Sequence, residues 1–361
     1  MPTWKLVCSY GVLLLASTLS VGQSPTSATS TSLPPLPEMP REAAEIFAAA
    51  RPLYDFTSDA LKPWHMKVSY QLYNEKDEPT SKGTYEYWWA SPGTYRSTWK
   101  RVELEHTDWY VGGTHYSSST GEALPFLERK MQSNLIRPLP TSDELRSDKT
   151  YIQREVETLG TAKLPCLMVV PKMQQHGKLL DIPMGLFPTY CFDADHPRLR
   201  TYHAFGSTSV LYNNITRVEG ILLPRRLDIF EGKRRTLSAT VDVIEGFPAK
   251  SATFTPDAGA ESIPVDAVEA KSKVTPGKLL KMSRVEYPQD AKNVPLGGKV
   301  VLSVLIGTDG HVHDLRVVEA PWPSLVAAAI SAASTSVYTP FLLNGKPIEV
   351  ERTITVVYGL N

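Results

Sequence analysis

Three groups of residues have the types and spacing that chemistry uses. His106, Asp108 and His115 sit on short alternating runs and would meet across neighbouring strands. Two imidazoles and a carboxylate at that spacing can move a proton or hold a cation. His311 and His313 stand two residues apart, so a strand puts both imidazoles on one face, close enough to share a metal. Asp314 would point the other way, and no third ligand is evident. Both groups read as surface residues of strands and hairpins rather than as catalytic or metal centres. Cys166 and Cys191 form an even pair once Cys8 is set aside in the N-terminal segment, and an oxidising compartment would join them. Two buried, unpaired thiols are the other reading. Without a His cluster beside them, a zinc site is not expected.

No nucleophile elbow, P-loop, H-E-x-x-H or strand-following G-x-G-x-x-G occurs, and nothing selects two carboxylates as an acid/base pair. The expectation is a protein that is not an enzyme, with no cofactor and no metal. Arg225-Arg226 and Lys233-Arg234-Arg235 form a basic patch, read as a solvated face with anionic lipid headgroups as the lesser alternative. Lys+Arg and Asp+Glu both number 38, which argues against nucleic acid as a partner. With 42% apolar residues the 361-residue chain has enough to bury a core, and its length suits two domains.

The elements that must position these groups follow from patterning. Residues 1–22 (Lys5, the apolar run Leu6–Leu19, then Ser20-Val21-Gly22) read as a secretory signal peptide. The alternative is an uncleaved anchor in the inner membrane facing the periplasm. Residues 23–40 are rich in Ser, Thr and Pro and read as a disordered tether. Residues 41–59 begin as a helix that Pro52 interrupts. From Trp64 the period becomes two, and strands follow as a meander through Ser118, with Tyr85, Tyr87 and Trp89 on one face. Leu124–Arg137 looks helical, and Thr141–Asp148 reads as a polar, helical turn. Strands are then expected at Leu164–Val170, Thr189–Phe192, Leu199–Phe205, Thr208–Leu211, Thr216–Val218, Ile221–Ile229 and Leu237–Ile244, spaced for a curved antiparallel sheet. Residues 41–250 thus form a β-rich domain and residues 251–276 a linker to a second, 277–361. There Val300–Ile306 and Val312–Val318 flank Asp309-Gly310, a hairpin signal. Pro323–Thr335 is an Ala-rich helix, and Phe341–Leu343 with Ile348–Tyr358 a second hairpin around Asn344-Gly345. The order is β-β-α-β-β and the fold class α+β.

The last 75 or so residues resemble the TonB C-terminal domain family. Tyr287-Pro288 followed by Ala291 looks like its opening motif, and Gly298 and Val300 like the start of its first long strand. Asp309-Gly310-x-Val312 resembles its hairpin, Val317 its return strand, and Leu325, Ala328 and Ala332 its helix. Tyr338-x-Pro340 and Gly345-x-Pro347-Ile348-x-Val350 complete the series; Val337 departs from it, standing where members commonly carry Trp or Arg. The resemblance implies a periplasmic domain that adds its last strand to an extended segment of an outer-membrane transporter. The implied partner-binding residues are Tyr287, Pro288, Val350, Arg352, Thr353, Thr355 and Val357, with Glu349, Glu351 and Arg352 as charged guards against self-pairing. The apolar N-terminal run holds no His and the Pro-rich piece is short, so protein binding is expected rather than coupling to a proton-driven motor.

Residues 41–247 are similar, more weakly, to the LolA-like lipoprotein-carrier superfamily. Tyr190-Cys191-Phe192-Asp193, Leu199-Arg200 and Gly220-x-x-Leu223-Pro224 with Arg226 look like strands and turns of that half-barrel. The resemblance implies a sheet wrapped on helices around an apolar concavity, lined by Tyr85, Tyr87, Trp89, Trp99 and Trp109; their bland reading is simple core aromatics. The expected function is therefore strand addition to an envelope protein, serving outer-membrane transport. The alternative is a periplasmic carrier of lipid or lipoprotein.

Overall fold

Alternation of apolar and polar residues becomes strand wherever one face can be buried, and here it does so for most of the chain. The computed structural model describes residues 34–121, 124–172, 184–204, 208–263, 274–288 and 297–359. The proposed signal peptide, most of the tether, and Ala291 lie outside them. Among the described residues no helix is long and apolar enough to cross a membrane.

Strands β1 (Trp64–Tyr73), β2 (Pro79–Ser91), β3 (Thr94–Arg101), β4 (Leu104–Val111) and β5 (Thr114–Gly121) form the expected meander. A second series runs β6 (Thr150–Leu159), β7 (Ala162–Pro171), β8 (Thr189–Phe192), β9 (Leu199–His203), β10 (Thr208–Val218), β11 (Ile221–Glu231) and β12 (Arg234–Gly246). The two series join because β12 folds back on β1, from Trp64 opposite Gly246 to Leu72 opposite Leu237. With β13 (Glu261–Ile263) added to β5, the result is one 13-stranded antiparallel sheet. Two points differ from the expectation. Strand β6 was not foreseen, because an edge strand is solvated on more than one side and loses its alternation. Strand β10 is continuous where two strands were expected, with Asn214 at φ +51° carrying the chain through the polar middle.

Helix α1 (Ala43–Ala50) runs into a 3-10 turn at Arg51–Leu53 that contains Pro52, and α2 (Phe126–Ile136) follows the meander. Residues 141–148 form turns rather than a helix. Both helices pack on one face of the sheet, where Ile46, Phe47, Met131 and Leu135 join Tyr85, Tyr87, Trp89 and Trp99 in a single core. Each such buried large side chain stabilises the fold by roughly 1.5–3 kcal/mol. Across β7 and β8, Cys166 lies opposite Cys191 and the two are joined as a disulfide closing a separation of 25 residues.

The segment after β12 is not structureless: α3 (Ser251–Phe254) packs near β3 and β4, β13 pairs with β5, and β14 (Val274–Thr275) pairs with the later segment Phe341–Leu343. Next come β15 (Leu279–Lys281), β16 (Gly298–Ile306), β17 (Val312–Glu319), α4 (Pro323–Ser334), β18 (Val337–Tyr338), β19 (Phe341–Leu343), β20 (Lys346–Ile348) and β21 (Val350–Tyr358). The hairpin β16–β17 is as expected. Its Gly310 has φ +80°, and a Cβ there would run into the Tyr338 carbonyl. The second hairpin is corrected: Phe341–Leu343 pairs with Lys346–Ile348, and the long β21 leaves it to pair with β16. The sheet order is β17-β16-β21, with α4 over its apolar face. Met168, Val170 and Phe187 of the large sheet's side share that core with Val300, Leu302 and Val304.

Candidate strand-docking site

Strand β21 is built by its own alternation. Ile354, Val356 and Tyr358 face the α4 core, and Tyr358 O–H donates to the Leu325 carbonyl at 2.9 Å. Glu351, Thr353, Thr355 and Val357 face outward and are exposed. On one side β21 pairs with β16 in unbroken register, Gly298 opposite Tyr358 to Ile306 opposite Val350. On the other side, among the described residues, no strand is paired with it. Half of its backbone N–H and C=O groups therefore face outward along a nine-residue edge.

A groove of about 430 Å³ runs beside the C-terminal half of this edge, between Thr355–Gly359 and Met282, Val285 and Tyr287. The Tyr287 ring meets the Tyr358 ring edge-on at 6.0 Å. Val357, which lines the groove, is 73% exposed, so apolar surface borders it. Of the partner-binding residues named from sequence, Tyr287, Thr355 and Val357 gather at this groove, with Pro288 next in the chain and Thr353 two residues up the strand. Val350 and Arg352 lie at the far end, where the Arg352 guanidinium stands over the Phe341 ring at 5.7 Å. Met282 and Val285 were missed, since an isolated Met and Val on an irregular segment carry no periodic signal.

The expected guards are engaged elsewhere. Glu349 accepts a hydrogen bond from the Phe126 N–H at 2.7 Å and pairs with Arg129 at 2.9 Å, so it caps α2, whose own N-cap, Pro125, offers no side-chain acceptor. Glu351 turns across the sheet to Ser303 and Arg316. Lys130, also on α2, reaches Asp314 at 3.6 Å.

The histidine groups resolve differently from one another. His106 and His115 each bring Nε2 to Asp108 Oδ1, at 3.1 and 3.2 Å, and His106 Nδ1 meets Ser119 Oγ. Burial alone would raise the Asp108 carboxyl, but these imidazoles and Ser117 hold it below its ordinary value. Both Nε2 atoms are spent on one oxygen, so the group is a cross-strand polar cluster around Asp108. His313 is not an exposed hairpin residue: Nδ1 meets Glu231 at 2.9 Å and Nε2 meets Asp309 at 2.9 Å, linking β17 to the end of β11. Burial opposes its charge, but the two carboxylates prevail and raise its pKa to about 10. Glu231 could not be found from sequence, being 82 residues away. His203 and Glu157 come close to Cys191, but that sulfur is in the disulfide.

The aromatic set is not brought together as one lining. Tyr85, Tyr87, Trp89 and Trp99 share a face but are at most 3% exposed, packed in the core. Trp109 pairs with Arg96, which alternates with Tyr95 and Ser97, and so lies on the opposite face of the sheet. In the basic patch Arg226 pairs with Asp228, Arg234 with Glu231, and Arg235 with Asp77 while covering Tyr73.

Residues 283–360 match the family of the Gram-negative bacterial TonB protein C-terminal. No curated protein sequence matches the chain. Among solved structures, a LolA superfamily protein from Nitrosomonas europaea is similar at 11% identity, covering 59% of this chain and 97% of that one, with a TM-score of 0.35. A DUF1329 family protein from Desulfovibrio piger is similar at 9% identity, covering 58% and 95%, with a TM-score of 0.37. The resemblance of the last residues to the TonB C-terminal domain family is thus met over 283–360.

Proposed function

We propose that the protein is a periplasmic, non-catalytic binding module that takes an extended segment of an outer-membrane transporter as a further strand on β21, serving transport across that membrane. The observation that carries this is the nine-residue strand whose outer edge is unpaired among the described residues. Backbone groups on such an edge supply affinity, and the side-chain groove beside it supplies selectivity. The match of residues 283–360 to the TonB C-terminal family supports the same reading. Of the charged residues at this edge, Glu349 and Glu351 are held by partners within the protein.

The test is binding of synthetic peptides from the periplasmic ends of outer-membrane transporters, with a photo-cross-linker at Val357. Cross-linking is expected, and Thr353→Pro and Thr355→Pro should weaken binding by removing an N–H from the strand. Thermal unfolding of each variant separates lost docking from lost fold. Undiminished affinity in both folded variants would refute strand addition here.

A further inference from the structure

A second cavity lies against α2, apart from the aromatic concavity expected from sequence. It measures about 470 Å³ and sits between the C-terminal end of α2, the turn after α1, and strands β8 and β9. Tyr54, Tyr190 and Tyr202 line it with aromatic surface, and Leu139, Pro138 and Pro140 add aliphatic surface. Arg51 and Arg137 line it as well.

These two arginines differ from most others in the chain. Arg101, Arg129, Arg146, Arg226 and Arg234 each hold a carboxylate. Arg51 instead donates to Ser142 Oγ at 2.5 Å and the Pro140 carbonyl at 3.3 Å, and Arg137 to Thr57 Oγ1 at 3.1 Å. Neither pairs with a carboxylate among the described residues. The acids that also line the cavity are occupied locally. Asp55 accepts the Thr57 N–H and O–H, and Glu144 accepts the Thr141 N–H and O–H. Guanidinium groups held by neutral acceptors keep donors and charge for an anion, and exchanging a neutral for a charged acceptor strengthens each bond. A cavity of this size, with apolar surface and polar groups in similar share, suits a small amphiphile.

We propose that this cavity binds an amphiphilic anion, its carboxylate or phosphate head on Arg51 and Arg137 and its apolar body against the three tyrosines. This stands on the cavity alone and is independent of strand addition at β21.

The full-length protein would be titrated calorimetrically with decanoate, decyl phosphate, decyl maltoside and inorganic phosphate, the amphiphiles below their micelle concentrations. The two decyl anions should bind, at least about tenfold more tightly than decyl maltoside. Arg51→Gln and Arg137→Gln should each weaken the anions about tenfold and leave decyl maltoside unchanged. Arg137 is exposed, so its substitution carries the test should the Arg51 variant fail to fold. Equal binding of decyl maltoside, or full affinity in the folded Arg137→Gln variant, would overturn the assignment of the head. Inorganic phosphate binding as tightly as decyl phosphate would overturn the apolar half. A preference between decanoate and decyl phosphate identifies the head chemistry, and either preference supports the proposal.

Discussion

The Phe126 N–H donates to Glu349 Oε1 at 2.7 Å, across 223 residues of sequence. One acidic side chain, next in the chain to β21, thereby satisfies a helix N-terminus in the other half of the molecule. Glu349→Ala leaves that N–H without its acceptor and Arg129 without its partner. A loss of about 1–2 kcal/mol is expected, read from urea unfolding, with Glu349→Gln retaining part of it. An unchanged midpoint in Glu349→Ala would show that the contact does not hold the two halves.

His313 gives stability a pH dependence whose sign is fixed. Its folded pKa is about 10, above the ordinary histidine value, so the folded state binds the extra proton. That contribution is complete below about pH 6.5 and fades as pH rises through 10. Its carboxylate partners are depressed: burial opposes this, but His313 prevails, taking Asp309 to about 2 and lowering Glu231. Their contribution is present above ordinary carboxylate values and is lost as pH falls through the folded ones. His313→Gln should therefore flatten the decline of unfolding free energy between about pH 6.5 and 10. Parallel curves for the two proteins would contradict the clamp.

Cys166 and Cys191 should be unreactive toward thiol reagents in protein unfolded without reductant. The double change Cys166→Ser with Cys191→Ser should cost about 3 kcal/mol, from the unfolded-chain entropy of a loop of this size. Two labelled thiols in unreduced protein would refute the bond.

Gly310→Ala should destabilise by more than about 1 kcal/mol, because φ is +80° and the new methyl meets the Tyr338 carbonyl. The β16–β17 hairpin and β18 meet there, since the Tyr338 N–H donates to the Gly310 carbonyl at 2.8 Å. Equal thermal stability of variant and parent would show that the turn tolerates a side chain.

What was legible in the sequence was local. The period of two gave β1 to β5, and Asp309-Gly310 gave the β16–β17 hairpin. Tyr85, Tyr87 and Trp89 share a face because a pleated strand alternates. What was hidden was long-range. Nothing in Ile348–Tyr358 says that its longer half leaves β19 for β16, because a strand's own pattern fixes its buried face and not its neighbour. The face of Trp109 is hidden for the same reason: it depends on the β3–β4 register opposite Arg96. Glu231 and Glu349 are solvated-looking charges whose partners become visible only when the chain is folded.

Strand addition on β21 is tested most directly by amide hydrogen exchange along Val350–Tyr358, with and without a transporter peptide. In the free protein, alternate amides of β21 should exchange fast, because they face outward, while those bonded to β16 are protected. On adding peptide the fast set should become protected. A strand uniformly protected before any peptide is added, or an alternate set that stays fast at saturating peptide, would contradict the account.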